Sequence, residues 1–304
     1  MKVDKKREFT EINKIYIISM ILYLLVFLLC KNILGGQLGE GCVYLISISL
    51  ALLASYMPYF TANNFKYVSL DIQEENYLSK KEYFIFIIFM LFSNVVTYFF
   101  IEGVEATYNK LGYTILSKNT LTNSPGESLG FIIYTVLLAP LIEELIYRKF
   151  LIDHLSKHGK HFAIMISAVL FALAHGNIPQ FITAFPLGLI LGYAYCLSKS
   201  VKLVIILHII NNIYVNIYNE LILKYIDIHN YLQIFVIAEL IIVIILMIWA
   251  VLFYIKDENL RLVETEVKSN SKYLFKQYFC RITTIFIVIA YIIEIVVSVE
   301  RLGG

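Results

Sequence analysis

The sequence predicts an all-α, polytopic membrane protein with about nine transmembrane helices around a polar intramembrane cavity. Of its 304 residues, 59% are hydrophobic and only 16% are charged, and the apolar residues fall in long runs. A soluble domain usually carries about 25% charged residues. We therefore expect membrane lipid as the surroundings. The net charge of +2 is too small to indicate a nucleic-acid partner, and none is expected.

Each predicted span is an apolar run close to the ~20 residues that a helix needs to cross a bilayer. The fifth run is the shortest, but the alternation of charged connections on both sides of it requires a crossing there. The predicted spans are 16–34, 42–60, 83–101, 128–152, 162–177, 181–198, 203–223, 231–255 and 282–299.

The basic residues predict the orientation of these spans. Twenty of the 25 Lys and Arg residues fall in connections on one side of the predicted membrane. The other side holds the remaining five, which are Lys31, Lys110, Lys118, Lys224 and Arg301. Connections rich in Lys and Arg stay in the cytoplasm. We therefore expect a multi-pass protein of the cell membrane with a cytoplasmic amino terminus and an outer carboxyl terminus.

The fourth run holds two adjacent acids and a base, Glu143, Glu144 and Arg148. Ionisable residues inside a bilayer are costly and usually mark a functional site. Glu144 and Arg148 are four residues apart on a helix, so we expect them to pair. Glu143 lies about 100° around the helix from Glu144 and faces elsewhere. The pattern predicts one acid neutralised by arginine and another available for chemistry.

Two other runs contribute polar residues. The fifth predicted span contains His175, and the seventh contains His208 and Asn212 on one helical face. At ~1.5 Å of rise per residue, their depths are compatible with one site in the cytoplasmic half of the membrane. Glu143 and a histidine could take a proton from water. A histidine and an asparagine could donate hydrogen bonds to an oxyanion, which suits amide hydrolysis.

Other interpretations stay open on the residues alone. Intramembrane His and Asn side chains often hydrogen-bond between helices, and Glu with His can also form a proton pathway. Two histidines and a glutamate could bind zinc, but no His-Glu-x-x-His motif is present, so no metal or other cofactor is expected. His154, His158 and His161 in a predicted cytoplasmic turn are interpreted as solvated. Glu239 is interpreted as a structural hydrogen-bonding residue.

Three motifs in order resemble the CPBP family, which comprises the CAAX proteases and the bacteriocin-processing or immunity (Abi) proteins. They are Glu-Glu-x-x-x-Arg at 143–148, Phe-x-x-x-His at 171–175 and His-x-x-x-Asn at 208–212. The resemblance covers roughly 83–255, which we take as the catalytic core of a single membrane domain, 1–304. Segments 1–82 and 256–304 are then accessory helices and basic cytoplasmic segments.

The resemblance implies a metal-independent intramembrane glutamic endopeptidase without a cofactor. It implies that Glu143 activates water with the help of His175. It also implies that His208 and Asn212 stabilise the oxyanion. The implied substrate is a peptide or the tail of a membrane-associated protein.

Three further residues have supporting roles by the same resemblance. Glu144 and Arg148 would shape the site as a pair, and Phe171 would be a packing residue. The first alternative is a non-catalytic immunity or regulatory protein that binds a membrane-protein partner. The second is a proton-coupled transporter, although the internal repeats common in transporters are not evident.

Overall fold

The computed structural model describes residues 5–35, 39–63, 78–116, 125–217, 229–262 and 271–302, which are largely helical. The all-α fold class is confirmed. The chain divides into two compact units. Unit 1 comprises Met1–Ile72, Lys118–Ala163 and Thr265–Glu294, and unit 2 comprises Gln73–Ser117, Ile164–Glu264 and Ile295–Gly304. The predicted single domain and its core at 83–255 stay predictions.

Unit 1 is built on two long helices that pack along each other, α1 (Lys5–Leu34) and α2 (Glu40–Asn63). A hydrogen bond from Ser19 Oγ to the Ser55 carbonyl, 2.7 Å long, joins them. Two helices near the carboxyl end, α11 (Ser271–Phe279) and most of α12 (Ile282–Val297), form a second part of the unit.

The third part of unit 1 is a helical run over 125–158, which we call the acidic helix because it carries the two acids. Its pieces follow one another without a loop. They are α4 (Pro125–Ile133), a π-helical turn (Tyr134–Leu138), α5 (Ala139–Glu144), a second π-helical stretch (Leu145–Ile152), α6 (Asp153–Leu155) and a 3₁₀ turn (Ser156–His158).

Buried polar contacts hold α1 to the last two helices of unit 1. Asn13 Nδ2 donates to Thr284 Oγ1 at 2.7 Å, and Tyr278 Oη donates to Asn13 Oδ1 at 2.8 Å. All three side chains are buried. Polar groups in an apolar interior must find such partners, because an unmatched group costs free energy.

Unit 2 contains α3 (Lys80–Lys110), α8 (Ile178–Ser198), α9 (Val201–Ile217) and α10 (His229–Lys256), with most of α7 (Lys160–Leu173). Helix α3 packs against α8, α9 and α10. It starts in a capping box, where Ser79 Oγ accepts from the Glu82 amide and the Glu82 carboxylate accepts from the Ser79 amide. Such a cap satisfies donors that the first helical turn leaves over.

A short antiparallel pair closes unit 2 near the carboxyl terminus. Strand β1 (Tyr113–Thr114) pairs with β2 (Glu300–Arg301), so that Tyr113 lies opposite Arg301. The Glu105 carboxylate secures β1 by accepting from Thr114 Oγ1 at 2.6 Å and from the Ile115 amide at 2.9 Å. The end of α3 and the carboxyl-terminal segment are therefore tied together.

The described helices confirm a polytopic membrane protein, but the expected count of nine spans is not established. Six described helices are long and apolar enough to cross a bilayer, or seven if α11 and α12, which meet at 75°, form one broken span. Helices α7 and α9, the predicted fifth and seventh spans, are shorter. The 14 residues of α7 extend only about 21 Å, less than the ~30 Å of hydrocarbon.

The outward faces of several helices are apolar. Burying such surface in lipid explains why large apolar side chains stay outside the protein core. Examples on α1, α10 and α12 are Leu24, Leu29, Ile245, Ile248, Ile289 and Ile293. The candidate spans themselves are Lys5–Leu34, Gly41–Thr61, Lys80–Lys110, Leu129–His158, Ile178–Ser198 and Ile237–Lys256.

Candidate active site

The acidic helix departs from regular α geometry on both sides of its two acids. Pro140 lacks an amide hydrogen, and its ring would collide with a carbonyl in the preceding α-helical turn. A wider π-helical turn, closed by the hydrogen bond from the Ala139 amide to the Tyr134 carbonyl, precedes it. The second π-helical stretch begins directly after Glu144. Single π-helical turns inside α-helices occur frequently at functional sites.

Glu144 and Arg148 form the predicted pair. Arg148 Nε lies 3.0 Å from Glu144 Oε2, and both side chains are completely inaccessible to solvent. A buried charge is tolerated only when it is paired or otherwise hydrogen-bonded. The pair therefore neutralises two charges that would otherwise disfavour folding of this helix.

Glu143 occupies a different environment from its neighbour. It is half-buried, whereas Glu144 is fully buried. Its carboxylate lies within electrostatic range of Tyr134 and Tyr147 on the same helix and of Tyr23 on α1. The two adjacent acids therefore differ in exposure, and the distinct roles predicted for them stay predictions.

His175 lies in a turn, not inside a helix as predicted. Helix α7 ends at Leu173, Gly176 adopts a left-handed conformation with φ of 67°, and Asn177 caps α8 by accepting from the Gln180 amide at 2.9 Å. The prediction from apolar periodicity was wrong because glycine and asparagine end one helix and start the next within an apolar run.

A hydrogen bond to the backbone of α7 sets the tautomer of the His175 ring. Nδ1 lies 2.8 Å from the Phe171 carbonyl oxygen. A carbonyl oxygen can only accept, so Nδ1 carries the hydrogen. In the neutral ring, Nε2 then holds the lone pair and can accept a proton. The arrangement is suited to a base whose orientation is set by the backbone.

Phe171 connects the two predicted histidines of unit 2. Its ring packs edge-on against His175, with 5.0 Å between centroids, and against His208, with 5.7 Å. His208 is buried on α9, and His175 is half-buried. Through these contacts the Phe171 ring joins α7, the turn that follows it and α9.

A row of hydrogen-bonded asparagines lies at the Asn212 end of the His-x-x-x-Asn motif. Asn94 on α3 donates to Asn211 Oδ1 at 2.8 Å, and Asn211 Nδ2 donates to Asn212 Oδ1 at 3.2 Å. Asn216 Nδ2 donates to the Asn212 carbonyl at 2.7 Å. The residues predicted for the site did not include Asn94 or Asn211. The adjacent asparagines at 211–212 in an apolar helix were a visible signal, but the partner on α3 was not.

Other polar residues have structural contacts. Glu239 accepts a hydrogen bond from the Tyr214 hydroxyl, as its structural interpretation predicts.

His154 and His158 are buried rather than solvated, which corrects the sequence interpretation. His158 Nε2 lies 3.1 Å from Glu8 Oε2, and its ring packs against Phe9. The amino-terminal part of α1 covers this turn, and no sequence pattern places it there.

The structure thus brings the predicted residues together in two groups. Unit 1 groups the acids with Arg148 on one helix, and unit 2 groups Phe171 with both histidines and the asparagines. Within the described residues of either unit alone, no group of three His, Cys, Asp or Glu side chains is placed to hold a metal ion.

Comparison with known proteins identifies a related segment. Residues 125–214 match the family model described as type II CAAX prenyl endopeptidase Rce1-like. The chain is also 31% identical over 98 residues to the membrane-embedded CAAX protease MroQ of Staphylococcus aureus (strain USA300). These matches support a CPBP/CAAX protease family assignment.

The CAAX-protease-like segment contains all seven site residues predicted from the sequence. The match to the staphylococcal protein covers 30% of this chain and 40% of that protein. The chain therefore spans less than half the length of the curated relative it matches. No solved structure matches the chain. Tyr23 and Asn94, which adjoin the site residues in their units, lie outside the matched segment.

Proposed function

We propose that the chain is a membrane-embedded peptidase in which Glu143 activates the water that attacks a peptide bond. The observation that carries the proposal is the division between the two acids. Glu144 is fully buried against Arg148, whereas Glu143 is half-buried. A carboxylate with partial access can receive water and take its proton. The name of the staphylococcal relative, a membrane-embedded CAAX protease, supports the same class of reaction.

The remaining residues have complementary roles in this proposal. His175 Nε2 accepts and returns a proton, because Nδ1 donates to the Phe171 carbonyl. His208 and Asn212 donate hydrogen bonds to the oxyanion of the tetrahedral intermediate. The protonated Glu143 then passes a proton to the departing amine, and the carboxylate is regenerated. No metal takes part in these steps.

The proposed substrate is a peptide or protein segment associated with the membrane. The site residues lie on helices or turns within the apolar part of the chain, and a soluble peptide would have to leave water to reach them. The basic connections predict that the catalytic residues open toward the cytoplasm.

Replacement of Glu143 tests the function. The variant Glu143→Gln keeps the size of the side chain and removes the carboxylate. We expect cleavage to fall about 100-fold or more, measured by peptide profiling of membranes that contain the wild type or the variant. Glu239→Gln is the matched control, because Glu239 is also an intramembrane acid but hydrogen-bonds to Tyr214.

Two results would contradict the proposal. Full cleavage by an inserted Glu143→Gln variant would exclude Glu143 as the water-activating group. Loss of activity in a chelator, with recovery on addition of zinc, would exclude the metal-independent reaction. A cellular phenotype that survives Glu143→Gln would instead favour a protein that acts by binding a membrane partner.

A further inference from the structure

A chain of buried tyrosine hydroxyls lies beside the acids in unit 1. Tyr16 on α1 has its Oη 2.9 Å from Tyr147 Oη and 3.1 Å from Tyr291 Oη on α12. All three side chains are buried. A phenol has a single hydrogen to donate. Tyr16 can therefore donate to only one neighbour, so at least one of the other two hydroxyls donates to Tyr16, which bridges them.

The rings of this tyrosine chain are also packed. Tyr16 makes edge-on contacts with Tyr147 and Tyr291, with centroids 6.3 and 6.4 Å apart, and with Tyr59 on α2 at 6.4 Å. Tyr59 packs in turn against Phe150 of the acidic helix at 4.8 Å. Removing a hydroxyl while keeping the ring would therefore leave the packing and delete only the hydrogen bonds.

Tyr147 places this chain next to the site. It lies four residues after Glu143 and directly before Arg148, at the start of the second π-helical stretch. Its hydroxyl is within electrostatic range of Glu143. A π-helical stretch is rarer and less favourable than a regular helix, so external contacts are needed to hold it. The hydroxyl of Tyr16 supplies one from a different helix.

Two of the three tyrosines lie outside the segment shared with CAAX proteases. The matched segment is 125–214, whereas Tyr16 belongs to α1 and Tyr291 to α12. We propose that Tyr16, through its hydrogen bonds to Tyr147 and Tyr291, is a positioning residue. It holds the second π-helical stretch, which begins directly after the two acids, in its active geometry. The inference rests on the proposed function of Glu143, and it gives the accessory helices a role in catalysis.

The test compares Tyr16→Phe with Tyr278→Phe. Tyr278 is a matched control, because it is a buried tyrosine of the same unit whose hydroxyl also bonds to α1, at Asn13. For Tyr16→Phe we expect kcat to fall about 10- to 100-fold with little change in KM, since a small misplacement of a reacting group has effects of this size. For Tyr278→Phe we expect a lower Tm and an unchanged kcat.

A double variant separates positioning from general stability. If Tyr16 acts through Tyr147, the variant Tyr16→Phe/Tyr147→Phe has nearly the same kcat as either single variant. Additive losses in kcat would overturn the inference. So would a Tyr16→Phe variant that loses thermal stability as Tyr278→Phe does but keeps the wild-type kcat.

Hydrogen exchange provides a readout that does not depend on activity. We expect Tyr16→Phe to speed amide exchange within 145–152 and Tyr278→Phe to leave it unchanged. Unchanged exchange in Tyr16→Phe would overturn the positioning role whether or not the protein cleaves peptides. If Glu143→Gln retains full cleavage, the proposed function fails, and the exchange experiment still decides whether Tyr16 holds the turn.

Discussion

At the scale of single residues, neighbouring acids acquire different properties from helical geometry. Glu144 faces Arg148 and is fully buried, whereas Glu143 points to a half-buried position among tyrosines. The spacing in the sequence predicted the pair, because residues four apart share a face. It could not predict the tyrosines, since Tyr16 and Tyr23 come from a helix more than 100 residues earlier in the chain.

The buried pair makes a specific prediction for stability. Glu144→Ala leaves the Arg148 guanidinium buried without its carboxylate, and we expect the free energy of unfolding to fall by about 3–5 kcal/mol. The loss is measured by denaturation of the protein in detergent. Glu11→Ala is the control, because Glu11 and Lys14 form an exposed pair with side chains 56% and 55% accessible. The free energy of unfolding of Glu11→Ala should fall by about 1 kcal/mol or less.

A double variant checks the cause of this loss. Glu144→Leu/Arg148→Leu removes both charges and should be less destabilised than Glu144→Ala, because no charge is left buried alone. If the double variant is the less stable of the two, the loss comes from packing and not from the unpaired charge.

At the scale of elements, the sequence predicted where helices lie better than how they bend or end. Within the described residues, the long apolar runs correspond to helices, but the π-helical segments before and after the two acids have no signature in apolar periodicity. Gly176 and Asn177 were visible in the sequence as a helix stop and start. The alternation of charged connections required a fifth span over 162–177, and this predicted His175 in a helix instead of a turn.

The contact between α7 and α8 gives a prediction at the same scale. A Cβ at Gly188 would lie 3.0 Å from the Ala168 Cα and 3.2 Å from Phe171 Cδ1. Because the Ala168 backbone can move aside only at a substantial cost in free energy, we expect Gly188→Ala to destabilise the protein by about 1–3 kcal/mol. It should also displace Phe171, which packs on both site histidines.

Gly103 on α3 is the matched control for Gly188. It is exposed, and a Cβ there would meet nothing within 4 Å. Gly103→Ala should therefore stabilise the helix by about 0.5–1 kcal/mol. Thermal denaturation of both variants gives the comparison. Equal stability of Gly188→Ala and the wild type would show that α7 and α8 can separate without cost.

At the scale of the whole molecule, contacts within each unit agree with the predicted sides of the membrane. Glu8 lies 2.5 Å from Lys157 Nζ, and both residues are predicted to be cytoplasmic. Strands β1 and β2 join two segments that are both predicted to be outside. Tyr193 Oη donates to the Leu260 carbonyl at 2.7 Å, where α8 approaches its predicted cytoplasmic end. Each contact requires its two segments to share a side, as the distribution of basic residues also does.

Labelling of single cysteines tests this orientation. Starting from a variant without Cys30, Cys42, Cys196 and Cys280, a cysteine is placed at exposed Lys272 or Arg301. A membrane-impermeant maleimide should label Arg301→Cys in intact cells and label Lys272→Cys only after permeabilisation, because basic connections stay in the cytoplasm. If only Lys272→Cys is labelled in intact cells, the orientation is opposite to the predicted one. The side from which a substrate reaches Glu143 is then also the opposite one. Lys110→Cys is the internal control. It adjoins β1, which pairs with β2, so it must label together with Arg301→Cys in either orientation.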